Sequence, residues 1–131
     1  MTEYRQLALG LNTFAYNLNS FDISQLGITE NVSKRSIFNR LYYALYNRLI
    51  DELPDLQVST TGDKHQQIED RLRRNTHNDV CRKAYNLFRD LKTLRVWADY
   101  KPTMQDPSSN LTLLLQKTYE VINYDTIFPE R

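Results

Sequence analysis

The chain has 131 residues, 40% of them hydrophobic and 25% charged, with a formal net charge of +1. That size and apolar content suit one domain, residues 1–131, with its own core. The near-neutral balance excludes a global basic field, and the few glycines and prolines argue against a turn-rich β fold.

Tyr4 to Phe21 is the first predicted helix. Tyr4, Leu7, Leu11, Phe14, Leu18 and Phe21 recur three or four residues apart throughout. Gly10 interrupts the pattern at about 1 kcal/mol relative to alanine. A close crossing by another helix would explain its presence. Asp22 to Asn31 is a connector. A second helix is predicted from Val32 to Leu53, with Asn31 or Ser33 as cap. Its apolar residues run from Ile37 to Leu53 and cover more than half the circumference, which places it centrally. Arg40, Tyr43 and Asn47 form a polar, aromatic strip on the other side, suited to a cleft or a partner chain.

Pro54 stops this helix, and Leu56 to Gly62 is a predicted loop. Asp63 then caps a short helix through about Arg74, with Ile68 and Leu72 inward. Asn75 to Asn78 breaks the pattern before a long helix from Val80 to Tyr100. Val80, Ala84, Leu87, Leu91, Leu94 and Ala98, with Phe88, form a stripe roughly 120° wide. Lys101-Pro102 ends it. Thr103 to Ser109 is a loop. A last helix opens at Pro107 with Ser108 or Ser109 and runs to about Asn123, and the tail from Tyr124 to Arg131 is expected to be loosely attached. The pattern predicts an all-α fold: an antiparallel four-helix bundle with one additional short helix.

One charged residue, Arg95, falls inside the stripe of the long helix. An unpaired buried guanidinium is costly, so such a residue has a partner or a task. Asp99, one turn on, is the nearest candidate partner and Tyr100 follows. Arg95 could clamp a phosphate or stabilise an oxyanion, with Tyr100 as donor; it could equally bridge two helices through Asp99. Lys64-His65 opens the short helix, where the pair could meet a phosphate or His65 could pack against the bundle.

These blocks resemble a HEPN domain (higher eukaryotes and prokaryotes nucleotide-binding), most of all its small prokaryotic members. Arg40-Leu41-Tyr42-Tyr43-Ala44 is similar to the arginine, tyrosine pair and alanine of that family's second helix. Lys64-His65 resembles its lysine–histidine pair. Leu94-Arg95 with Ala98-Asp99-Tyr100 and Pro102 resembles its late-helix block. The likeness spans roughly Val32 to Leu115.

The resemblance implies a bundle that dimerises, with the arginine motifs of two subunits in one cleft. It also implies a metal-independent ribonuclease of a toxin–antitoxin or anti-phage defence system, with no cofactor. RNA or a nucleotide would be the ligand, and an antitoxin or defence protein the partner. In that family an arginine is followed four to six residues later by a histidine, which moves the proton while arginine stabilises the phosphorane. Here Tyr100 stands at the histidine's place, and a tyrosine of pKa near 10 is a poor general base at pH 7. Arg95, Tyr100 and His65 are therefore the candidate catalytic residues, and Lys64, Arg40, Tyr43 and Asp99 the candidate substrate contacts. His65 can replace the missing proton carrier only if the fold brings it to Arg95. The alternative is a non-catalytic subunit that dimerises and binds a partner protein or a nucleotide.

Three further features carry weaker signals. His77 follows Arg71 at a similar spacing, but outside the family block. Arg71, Arg73, Arg74, Arg82 and Lys83 form the one dense basic patch, which could hold an RNA backbone or simply be a solvated face. Tyr42, Tyr43, Tyr46 and Trp97 could stack bases, although packing explains them as well. A lone cysteine, Cys81, excludes an internal disulfide and fits a reducing cytoplasm. No leader pattern or membrane-spanning run is seen, and no metal-ligand set.

Overall fold

The computed structural model describes residues 2–20, 30–59, 62–100 and 111–129, the side chains of 18–20, 30–34 and 97–100 excepted. Among the described residues the chain is all-helical: α1 Glu3–Ser20, α2 Glu30–Asp51, α3 Pro54–Val58, α4 Lys64–Arg74, α5 Asp79–Tyr100 and α6 Leu111–Ile122. No helix among them is long and apolar enough to cross a membrane.

Helix α2 touches every other helix, as its broad apolar surface predicts. Ile37, Leu41, Leu45 and Leu49 are buried along it, in one core with Cys81, Ala84, Phe88 and Leu91 of α5, and Phe38 packs with Leu94. Ile68 and Leu72 carry α4 into the same core, and Leu115 and Val121 carry α6.

Local chemistry sets the helix starts. The Asp63 carboxylate accepts from the backbone N–H groups of His65 and Gln66, at 2.9 and 3.3 Å, and so caps α4. Gly62 precedes it at φ +79°, where a Cβ would lie 2.6 Å from the Gln67 side-chain nitrogen. Asn78 caps α5 by accepting from Val80 N and Cys81 N. Pro54 follows α2 and occupies the first turn of α3, a helix that runs into the start of the stretch expected to be a loop, Leu56 to Gly62.

Helix α1 turns part of its apolar stripe outward over its described side chains. Ala8, Asn12 and Ala15 face the core, while Leu7 and Phe14 are 50% and 49% exposed. Among the described residues nothing lies within 4 Å of a Cβ at Gly10, so no crossing by them explains that glycine. The tail, in contrast to expectation, is not loose. Ile127 and Phe128 are buried, and the Glu52 carboxylate accepts from both of their backbone N–H groups.

Glu52 belongs to a buried cluster at the end of α2. Arg48, fully buried, donates to Glu52 at 2.6 Å and to the backbone carbonyls of Ile122 and Tyr124 at 3.1 and 2.6 Å. Arg5 of α1 pairs with Asp51 and donates to the Asp125 carbonyl. Burial pushes the Arg48 guanidinium below its usual pKa, and the Glu52 carboxylate opposes that shift. The cluster ties α1, α2 and the segment after α6 together, which completes the frame around the candidate site.

Candidate functional site

The site forms where α2, α4 and α5 meet. Helix α2 supplies Tyr42, Tyr43 and Tyr46. The Asp63 cap fixes the first turn of α4 and with it His65, and α5 supplies Arg95. Tyr42 is buried because it lies on the core side of α2, with its ring 5.4 Å from that of Phe88. Its hydroxyl still needs a polar partner there. Tyr42 Oη and His65 Nδ1 share a hydrogen bond of 2.5 Å.

The imidazole is held by rings. It stacks on Tyr46 at 4.5 Å between centroids and on Tyr42 at 5.5 Å, and Tyr43 meets it edge-on at 6.3 Å. The Arg95 guanidinium stands over the same tyrosines, its Cζ 5.1 Å from the Tyr42 centroid and 5.3 Å from that of Tyr43. Such cation–π contacts favour a charged guanidinium at a half-buried position.

This arrangement sets the protonation states. Burial lowers the His65 pKa first, and the Arg95 charge lowers it further; Asp63 opposes and Lys92 adds to the lowering. His65 is therefore neutral at pH 7. Burial raises the Tyr42 pKa well above its ordinary value, more than the Arg95 charge lowers it, so its hydroxyl stays protonated. The Tyr42–His65 pair has two arrangements. With the hydroxyl donating, Nδ1 accepts and Nε2 carries the imidazole proton. With Nδ1–H donating, Nε2 keeps a lone pair and can take a proton.

The structure thus brings together Arg95, His65 and Tyr43. Tyr42 joins them although it had been assigned to packing. Nothing in the sequence separates a core tyrosine from one that holds a histidine. Lys64 is half-buried in the turn before His65. Arg40 lies one turn before Tyr43, with its guanidinium 5.3 Å from the Phe14 ring. Asn47, the third member of the polar strip, is buried and donates to the Tyr43 carbonyl. Asp99 and Tyr100 end α5, and their side chains lie outside the described residues, as does that of Trp97.

The basic patch is largely neutralised by its own neighbours. Arg71 pairs with Asp55, Arg73 with Asp70, Arg82 with Asp79 and Lys83 with Glu120. His77 is exposed in the turn between α4 and α5. A shallow groove between α5 and α6, rimmed by Lys83, Asp90, Lys117 and Glu120, contains none of the candidate residues. Among the described residues, no group of His, Cys, Asp and Glu is arranged to hold a metal ion.

The combination defines a class of site: a fixed cation, a neutral imidazole and several aromatic faces. It can bind an oxyanion and exchange a proton with it. Comparison with protein-family models, curated proteins and solved structures gives no match.

Proposed function

We propose that this chain is a HEPN-like four-helix-bundle protein of a prokaryotic toxin–antitoxin or anti-phage defence system that acts on RNA at the Arg95–His65 site. One observation carries the proposal. Arg95 and His65, far apart in sequence, sit on the same pair of tyrosine rings. In the catalytic form His65 Nε2 takes the proton of a ribose 2′-hydroxyl, with Nδ1–H turned to Tyr42. The 2′-oxygen attacks the adjacent phosphorus, Arg95 stabilises the phosphorane, and the 5′-oxygen leaves to give a 2′,3′-cyclic phosphate. Tyr43 offers an aromatic face to a base, Lys64 and Arg40 contact phosphates, and Tyr100 protonates the leaving oxygen beside Asp99.

The test uses purified protein and end-labelled RNA in EDTA. Wild type yields cyclic-phosphate ends, and Arg95→Ala and His65→Gln each lose at least about a hundredfold in rate. Wild type without cleavage, or Arg95→Ala cleaving as fast, refutes the catalytic form.

A second form has its own support: His65 Nδ1 is engaged by Tyr42 and its ring is packed on Tyr46. In that form the chain is a non-catalytic subunit that dimerises and holds a partner protein, RNA or a nucleotide through Arg95. Calorimetry with RNA or nucleotides then gives binding without cleavage, weakened in Arg95→Ala.

A further inference from the structure

Helix α5 carries a second arginine on a tyrosine face. The exposed Arg89 guanidinium stands over the half-buried Tyr85 ring, its Cζ 5.6 Å from the centroid. Arg95 stands in the same way over Tyr42 and Tyr43. It lies six residues on, and so about 9 Å further along the helix axis. Lys92 falls halfway between the two arginines. Tyr85, Arg89 and Lys92 follow at steps of four and three, so they share one shoulder of the helix, and Arg95 is the next step of three. Helix α4 runs beside that shoulder. Its His65 meets the tyrosines that carry Arg95, and Glu69, one turn after His65, pairs with Lys92 at 3.6 Å. Lys92 is thereby held at the seam between α4 and α5, one turn from the candidate site on both helices. Its charge reaches the imidazole, where it adds to the lowering of the His65 pKa. Three cations thus lead out of the site along one seam, with tyrosine rings at both ends.

We infer that this seam holds the nucleotides next to the reacting one, given the RNA reading of the Arg95–His65 site on which this rests. A guanidinium laid on a ring keeps its N–H donors at its edge, where a phosphate can take them. Its outer face is flat and can stack a base. Arg89 on Tyr85 is therefore suited to the base and phosphate of a flanking nucleotide. Lys92 offers a point charge to the phosphate between that nucleotide and the one at Arg95. These contacts go to backbone charge and to a ring face, which every nucleotide has, so the seam adds affinity without choosing a sequence. Glu69 positions Lys92 in the free protein and competes with the incoming phosphate for it. Arg82 differs: it pairs with Asp79 at the far end of α5 and serves as a control.

Fluorescence anisotropy of the full chain with labelled single-stranded RNA tests this, with 2′-O-methyl groups on the RNA to prevent cleavage. Arg89→Ala and Lys92→Ala each weaken binding at least about fivefold. Lys92→Ala also lowers the slope of log affinity against log salt by about 0.7, the loss of one phosphate contact on a single strand. Glu69→Gln tightens binding, and the gain disappears when Lys92→Ala is added. Arg82→Ala leaves binding unchanged. Circular-dichroism melts establish that each variant folds. RNA binding that Arg95→Ala weakens but Arg89→Ala and Lys92→Ala leave intact overturns the seam alone. So does an equal loss in Arg82→Ala, which would mark a diffuse basic surface. A wild type that binds no RNA overturns the seam together with the RNA reading of the site.

Discussion

Arg48→Met removes the cation at the centre of the buried cluster while keeping most of the side-chain volume. Four hydrogen bonds go with it: the one to Glu52 and those to the Ile122, Tyr124 and Asp125 carbonyls. What remains is worse than the loss itself. The Glu52 carboxylate, 2% exposed, is left among the described residues with the Ile127 and Phe128 N–H groups. Removing one partner of a buried pair costs about 3–5 kcal/mol. A domain of this size has a total stability of roughly 5–15 kcal/mol, so the variant loses about a fifth or more of it. With a urea dependence of about 2 kcal/mol per molar, the midpoint falls by roughly 2 M. Urea titration followed by circular dichroism gives this number. Hydrogen exchange adds the location, because amides of Ile127 and Phe128 should lose protection before those of α5. Adding Glu52→Gln to Arg48→Met removes the stranded charge and should recover part of the loss. A loss below about 1 kcal/mol in Arg48→Met, with the tail amides still protected, would refute the clamp.

Other outcomes follow from the site and from α1. Asp63→Ala removes the two N-terminal hydrogen bonds of α4 and should cost about 1 kcal/mol in a thermal or urea melt. The His65 pKa lies below its ordinary value of about 6.5, so the unfolded chain binds that proton more readily than the folded one. Its contribution to stability is complete above pH 6.5 and is lost as pH falls through the lower folded value; His65→Gln should flatten that part of the stability profile. Arg95→Met should move the His65 NMR titration midpoint upward, and an unchanged midpoint would show that the guanidinium is not near the imidazole. Gly10→Ala should stabilise the monomer by about 1 kcal/mol, roughly 3–6 °C in melting temperature at low concentration, because the added methyl meets nothing within 4 Å among the described residues.

The inward faces of α2, α4, α5 and α6 were legible because apolar spacing marks them directly. Helix α1 shows the limit of that signal: periodicity finds a stripe but does not say what covers it. The large side chains face outward because Ala8 and Ala15 let α1 lie close on α2. Pro54 was legible as a stop but not as the start of α3. The Arg48–Glu52 pair was within reach. At about 100° per residue, both fall among Ile37, Leu41 and Leu45 on α2, the same intrusion of charge into an apolar stripe that singled out Arg95. The capture of Ile127 and Phe128 was not, since two isolated apolar residues in a tail have no period. The apolar stripe singled out Arg95 and the family resemblance His65, but only the packing of α4 and α5 on α2 places both on Tyr42 and Tyr43.

The Arg48 cluster also bears on how the chain is made. Arg48 and Glu52 leave the ribosome long before Ile122, Tyr124 and Ile127, whose backbone groups satisfy them. Until then the ion pair at the end of α2 must stay in water or be buried incomplete. Closure of the core is thus held back until the last segment emerges. A nascent chain stalled before Ile127 should accordingly remain sensitive to protease along α2, and release of the remaining residues should end that sensitivity.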